Sequence, residues 1–447
     1  MELERGLTNR HVQLIAIGGA IGTGLFLGSG KTIELAGPSI LLAYLIIGIF
    51  ILIVMRALGE LLLSDLDKHS FVDFANVYLG RRIAFITGWT YWFCWIAVAM
   101  TDLTAVGIYI RYWAPGVPQW LPALVCLVIL VFLNLLSVKL FGEIEFWISM
   151  IKIVAIIALI VIGVYMIATK FETASGTTSL KNIYSHGGFF PTGVKGFMLG
   201  LQASVFAFAG VELVGLTAAE TDNPLKVIPS AINSIPIRIL LFYLGSLTVI
   251  MSIQPWDTIV ASESPFVTVF ATVGIAGAAS IVNFVVLSSA ISACNSAVFS
   301  TSRMLYGLSE SENAPKSFSK LSSKKIPAVA LYSSALVITT TVILNYIMPE
   351  GVFLLITSIA TSCFIVIWGV IVVCHMKFVK QTKKRPNFKL PFTPYLNWLT
   401  ILFFIMIACL LGVLPESRVA LFVSPVWFIF LNIMYSLFYK KSEPPKE

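Results

Sequence analysis

The chain has 447 residues, of which 58% are hydrophobic and only 12% charged, with a formal net charge of +8. Soluble domains carry about 25% charged residues, so a soluble globular fold is excluded. The apolar runs are continuous rather than alternating, which excludes a β-barrel, and many exceed the roughly 20 residues that span a bilayer. The pattern is that of an all-α polytopic membrane protein. Its basic excess belongs to cytoplasmic loops rather than to a nucleic-acid-binding face, and no nucleic acid partner is expected.

Twelve spans are expected, near 12–36, 39–63, 84–112, 120–138, 146–169, 196–216, 232–253, 272–302, 328–348, 351–376, 396–414 and 419–439. The polar stretch 1–10 and the long run behind it do not resemble a cleavable signal, so the first helix is expected to be its own insertion signal. Twelve spans put both termini on one side. The tails and loops of that side hold 22 of the 30 Lys and Arg residues, against six on the other side. By the positive-inside rule both termini are expected in the cytoplasm, in a multi-pass cell (plasma) membrane protein.

The first span carries Gly18, Gly19, Gly22 and Gly24 within seven positions, together with Thr23. Each Gly costs a helix interior roughly 0.8–1.0 kcal/mol relative to Ala, so the cluster favours a break. Backbone groups freed at membrane depth are tolerated only where protein buries them or they line a cavity. There, N–H groups opening the outer half-helix face an anion, and carbonyls closing the inner half face a cation. An amino acid zwitterion carries both charges, so the break reads as half of an amino acid binding site. Glycines that serve only close helix packing are the competing explanation.

Between spans two and three, 64–83 mixes Phe71, Val72, Phe74, Ala75 and Val77 with charges and is expected to form a short helix under the bundle. Segment 170–195 reads as an external loop. In span six, Phe206 to Glu212 carries Gly210 and then a carboxylate, which is costly in a membrane and by default functional. Two weakened helices separated by five spans are the mark of a five-plus-five inverted repeat whose discontinuous helices 1 and 6 meet at the midplane. The expected organisation is one transmembrane domain over 1–447. Repeat one is 12–169, inverted repeat two is 196–376, and two added helices occupy 396–439. Segment 377–395 is strongly basic and reads as a topology anchor beside anionic lipid.

The six cysteines lie in or at the ends of apolar runs and the four histidines are scattered, so neither disulfides nor a metal site are expected, and no cofactor is implied. A channel would want a repeated selectivity ring, and an embedded enzyme a nucleophile with its base or a metal set. Neither pattern is present. No phosphate-binding Gly-x-x-x-x-Gly-Lys-Ser/Thr motif appears, so ATP is not the direct energy source.

An ordered set of segments now matters: GGAIGTGLFLGSG, RALGELL, GWTYWF, FGEIEFW, IKIVAI, FAFAGVELVGLTAAETDNP and FSTSRMLYGL. With these the chain resembles, over nearly its whole length, the bacterial amino acid transporter branch of the amino acid–polyamine–organocation superfamily, which has the LeuT-like fold. Within the branch, LTNRHVQLIAIGGAIGTGLF, AINSIPIRI, IVNFVVL and SPFVTVF are most similar to members that import D-alanine, D-serine and glycine and would be expected to admit D-cycloserine. The alternative is a permease of the same fold for aromatic or branched L-amino acids.

The resemblance implies a proton symporter working by alternating access. The substrate carboxylate would meet backbone and hydroxyl groups of Gly22, Thr23 and Gly24. The ammonium would meet carbonyls of Ala20 and of Phe206, Ala207 and Ala209, at the break that Gly210 permits. Phe206 stands where relatives have an aromatic gate, or is a packing aromatic. Lys152 aligns with a lysine that, in proton-coupled relatives, takes the place of a sodium ion. Burial disfavours a charged amine, so Lys152 could lose and regain a proton, or it could snorkel to the surface. Glu212 either helps carry the proton or holds the freed N–H groups. Arg56, Glu60, Glu220 and Asp222, near helix ends, are gate pairs or caps. Trp89, Tyr91, Trp92 and Trp95 are read as anchoring and packing.

Overall fold

The computed structural model describes residues 21–68, 70–136, 138–213, 224–274, 277–382 and 385–438. Its helices are α1 Thr23–Phe26, α2 Gly28–Ala36, α3 Ile40–Ser64, α4 Phe71–Leu79, α5 Arg81–Arg111, α6 Trp120–Asn134 and α7 Val138–Thr169. There follow α8 Asn182–Ser185, α9 Gly193–Ser204, α10 Pro224–Ile253, α11 Pro265–Thr272, α12 Ala278–Glu310, α13 Ala328–Ile338, α14 Thr340–Ile347, α15 Val352–Gln381, α16 Tyr395–Leu410 and α17 Pro415–Phe438. The described strands are β1 Glu172–Thr173 and β2 Gly176–Thr177, an antiparallel hairpin in the 170–195 loop.

Among the described residues, eight helical stretches are long and apolar enough to cross a bilayer, and three shorter apolar helices, 120–134, 193–208 and 395–410, accompany them. Length and composition therefore support a polytopic helical membrane protein with eight clear spans, fewer than the twelve expected. The difference has a local cause: expected spans four, six and eleven are the three shorter helices, and spans one and two fall within one stretch, Gly28–Ser64. Span six is α-helical only to Ser204.

Burial sorts the helices. The apolar windows of α5, α12 and α15 are each 72% buried, whereas those of α7 and α17 are 28% and 22% buried. The first three form the centre of the bundle, and the others turn most of their surface outward to lipid. Small residues allow close approach where packing, rather than hydrophobicity, must hold helices together in a membrane. At Gly200 of α9, an added Cβ would lie 2.5 Å from the Ala36 Cβ of α2. Helix α4 begins with a capping box, in which the Ser70 hydroxyl and the Asp73 carboxylate accept from each other's backbone N–H. Phe71 and Phe74 are buried while Val77 is exposed, as expected for a short amphipathic helix under the bundle.

Candidate functional site

Gly22 is extended (φ −127°, ψ −157°), and helical structure begins at Thr23. Leu25 and Phe26 donate their N–H groups to the Gly22 carbonyl, so a helix starts here. Ala20 lies outside the described residues. In the second break, α9 ends at Ser204 and passes through a 3-10 turn, Val205–Phe208. Ala209 follows with ψ 136°, and Gly210 takes φ +89°, a left-handed conformation that favours glycine.

The two breaks touch. A Cβ on Gly24 would lie 2.8 Å from the Cα of Ala207 and 3.2 Å from the Phe206 ring, so only glycine lets the backbones come this close. Several groups hold them there. The Tyr243 hydroxyl donates to the Ala207 carbonyl at 2.6 Å, and Tyr44, Phe208 and Tyr243 pack edge to face or tilted. Ser289 donates to the Ile21 carbonyl and Ser264 to that of Phe26. A pocket opens against the contact, lined by Gly24, Gly28, Gln202, Phe206, Phe353 and Thr357 among others.

A polar cluster adjoins the first break. The Thr23 hydroxyl donates to Asp102 Oδ1 at 2.7 Å, so in this conformation it is already engaged. Lys152 is fully buried, not drawn out to a helix end as snorkelling would require. Its electrostatic neighbours are Glu145, seven residues earlier on the same face of α7, and Asp102 of α5. Ser292 donates to Glu145 Oε1, and Asn134 donates to Asn295 at 2.9 Å. Among the described residues, Asp102 Oδ2, Glu145 Oε2, Ser149 Oγ and Ser296 Oγ are buried without a hydrogen-bond partner. Two carboxylates and one amine thus share an interior where an uncompensated charge is costly.

Glu212 stands beyond the second break, 1% exposed. The Tyr91 hydroxyl donates to its Oε1 and the Trp368 indole to its Oε2, each at 3.2 Å. These donors come from α5 and α15, so the carboxylate ties the interrupted segment to two central helices. Tyr91 is therefore more than the packing aromatic expected.

Another buried ion cluster lies at the opposite end of α3. Arg385 donates in a fork to Glu60, at 2.5 Å from Nε and 2.7 Å from Nη2. The Leu390 N–H and His375 Nε2 meet the same carboxylate. Asn397 bonds His375 Nδ1. Arg56 donates to the Lys389 carbonyl and to Asn233, and stacks 3.5 Å from the Phe388 ring centroid. Part of the basic segment 377–395 is therefore a strap fastened to the end of α3, a role beyond lipid anchoring. Glu220 and Asp222 lie outside the described residues. Pattern alone assigned no role to Asp102, Trp368 or Gln202. For Asp102 the signal existed, a lone carboxylate inside an apolar span.

A helix start at Thr23 meeting the helix end at Val205–Phe208, beside a buried amine, suits a carrier of zwitterions, and comparison with known proteins decides the family. The amino acid permease profile matches residues 11–446. The chain belongs to the amino acid permease family. It is 63% identical over 438 residues to the uncharacterized transporter YdgF of Bacillus subtilis (strain 168), covering 97% of this chain and 96% of that one. It is 60% identical to the amino-acid permease AapA of the same organism, covering 98% and 95%. It is 49% identical to the D-serine/D-alanine/glycine transporter of Escherichia coli (strain K12), again covering 98% and 95%. The permease is a membrane-embedded transporter of amino acids and not an enzyme.

Proposed function

We propose that this permease is a secondary active importer that couples proton entry to uptake of small neutral amino acids. Its substrates are D-alanine, D-serine and glycine, with D-cycloserine as a mimic. The observation that carries the reading is the contact of the two helix breaks at Gly24 and Ala207, with Thr23 hydrogen-bonded to Asp102. The substrate carboxylate meets N–H groups at Gly22 to Gly24. Its ammonium meets carbonyls of Ala20 and the Phe206–Ala209 segment, where Gly210 permits the break. No fixed counter-ion is needed, because backbone dipoles satisfy both ends. Little room remains between Gly24 and Phe206, which favours small side chains, and Phe206 closes over them as a gate.

Lys152, held among Asp102 and Glu145, is the coupling group. With two carboxylates and one amine, gain or loss of one proton changes the cluster's net charge by one. Asp102 carries that change to the break through Thr23. Glu212, held by two donors, fixes the second break. The helices form a five-plus-five inverted repeat, 12–169 and 196–376, with both termini in the cytoplasm of a cell whose plasma membrane the protein spans. Relatives whose names specify D-serine, D-alanine and glycine support the substrate class.

The test is uptake of labelled D-alanine into liposomes holding the purified protein, under an inward proton or an inward sodium gradient. Proton-driven accumulation blocked by glycine and D-serine is expected. Accumulation driven only by sodium overturns the Lys152 role. Uptake of L-phenylalanine or L-leucine in place of D-alanine overturns the substrate class.

A further inference from the structure

The pocket beside the two breaks contains a buried amide that none of these roles uses. Gln202 lies four residues before Phe206, hence about one turn away on the same face of the chain. It lines the pocket with Gly24 and Phe206 and is only 3% exposed. Among the described residues its side-chain Oε1 has no hydrogen-bond partner. Burying an amide oxygen without a partner is unfavourable, so a Gln at this place points to something that completes it.

Several other polar groups around the pocket already have partners. Thr357 donates to the Phe353 carbonyl and Thr361 to the Thr357 carbonyl, within α15. Lys31 is paired with Glu34 at 2.8 Å, and Ser417 donates to the Leu411 carbonyl. The Gln202 amide faces the same space as Gly24, where the proposed substrate has its backbone groups. A substrate side chain directed from there toward α9 would meet this amide.

We propose that Gln202 reads that side chain, selecting amino acids with a β-hydroxyl, serine above all, over alanine. A hydroxyl both donates and accepts, so it satisfies either end of the amide. Alanine seats the same backbone groups but leaves the amide bare. A site built to bond a hydroxyl disfavours the analogue that lacks it, because the site's own polar group is then unpaired. This inference rests on the small-neutral-amino-acid reading and adds a specificity residue to it.

The experiment measures kcat/KM for labelled serine and labelled alanine, in both hands, on the same proteoliposomes. Gln202→Met keeps the length and removes both hydrogen-bonding ends. The serine-to-alanine ratio is expected to fall about tenfold, equal to about 1.4 kcal/mol. Because both substrates are read on one preparation, a reduced amount of folded protein does not move the ratio. Gln202→Asn withdraws the amide by one methylene and is expected to give an intermediate ratio. It supplies the same readout should Gln202→Met transport nothing. A ratio unchanged within twofold in these variants overturns the inference, as does an equal fall for serine, alanine and glycine, which would place the amide on the shared backbone groups. Wild-type protein that carries neither alanine nor serine overturns the parent reading and this one with it. Wild-type protein that carries both, with the ratio unmoved in the variants, overturns this one alone.

Discussion

Replacing Gly24 by Ala tests whether the contact between the two breaks matters for transport. The new Cβ would stand 2.8 Å from the Ala207 Cα, 3.2 Å from its N and 3.2 Å from the Phe206 ring. Carbon atoms prefer separations of about 3.5–4.0 Å, so the breaks must part by close to 1 Å. Two of these atoms are backbone and cannot swing aside. Overpacking of this kind costs typically about 1–3 kcal/mol, which corresponds to a loss of about 5- to 150-fold if it falls on the transporting state. Gly22→Ala is the matched comparison, since its Cβ would meet only the Ala293 Cβ at 3.7 Å, an ordinary contact. Both variants are assayed for initial uptake rate of labelled glycine in proteoliposomes, normalised to folded protein by size-exclusion chromatography. Gly24→Ala should lose at least fivefold more than Gly22→Ala. Equal losses, or wild-type uptake in Gly24→Ala, would refute close contact of the breaks as a condition of transport.

Lys152→Ala should reduce proton-driven accumulation to the level seen without a gradient, while exchange of internal for external substrate persists; intact accumulation would remove the lysine from coupling. Glu212→Gln should keep the wild-type dependence of uptake on pH, because the amide can accept from Trp368 and donate to a reoriented Tyr91 hydroxyl. A flattened pH profile with retained binding would make Glu212 the proton carrier instead. Arg385→Ala leaves Glu60 buried and short of its main partner, and breaking such a pair costs about 3–5 kcal/mol. A clearly lower unfolding temperature in detergent is expected, and an unchanged one would show that the strap does not hold α3.

Much of this molecule is legible in the linear chain. The apolar runs have nowhere to go but a membrane, and their lengths dictate helices, because only helices satisfy every backbone group within one segment. The glycine cluster at 18–24 and the Gly210–Glu212 pair announce where helices weaken, since glycine is unfavourable in a helix interior and a carboxylate is costly in lipid. Lys152 stands out for the same reason. What the chain does not reveal is which of these features meet. Thr23 and Asp102 are 79 residues apart and Glu60 and Arg385 are 325 apart. No local rule of periodicity or capping pairs them, because side-chain pairing across helices depends on rotation and depth. Gln202 is the plainest case. By composition it is one polar residue in an apolar span, able to face lipid, a neighbour or a cavity. Only the packing of α9 against α2, set by Gly200 against Ala36, turns its amide into the pocket and leaves its Oε1 without a partner among the described residues.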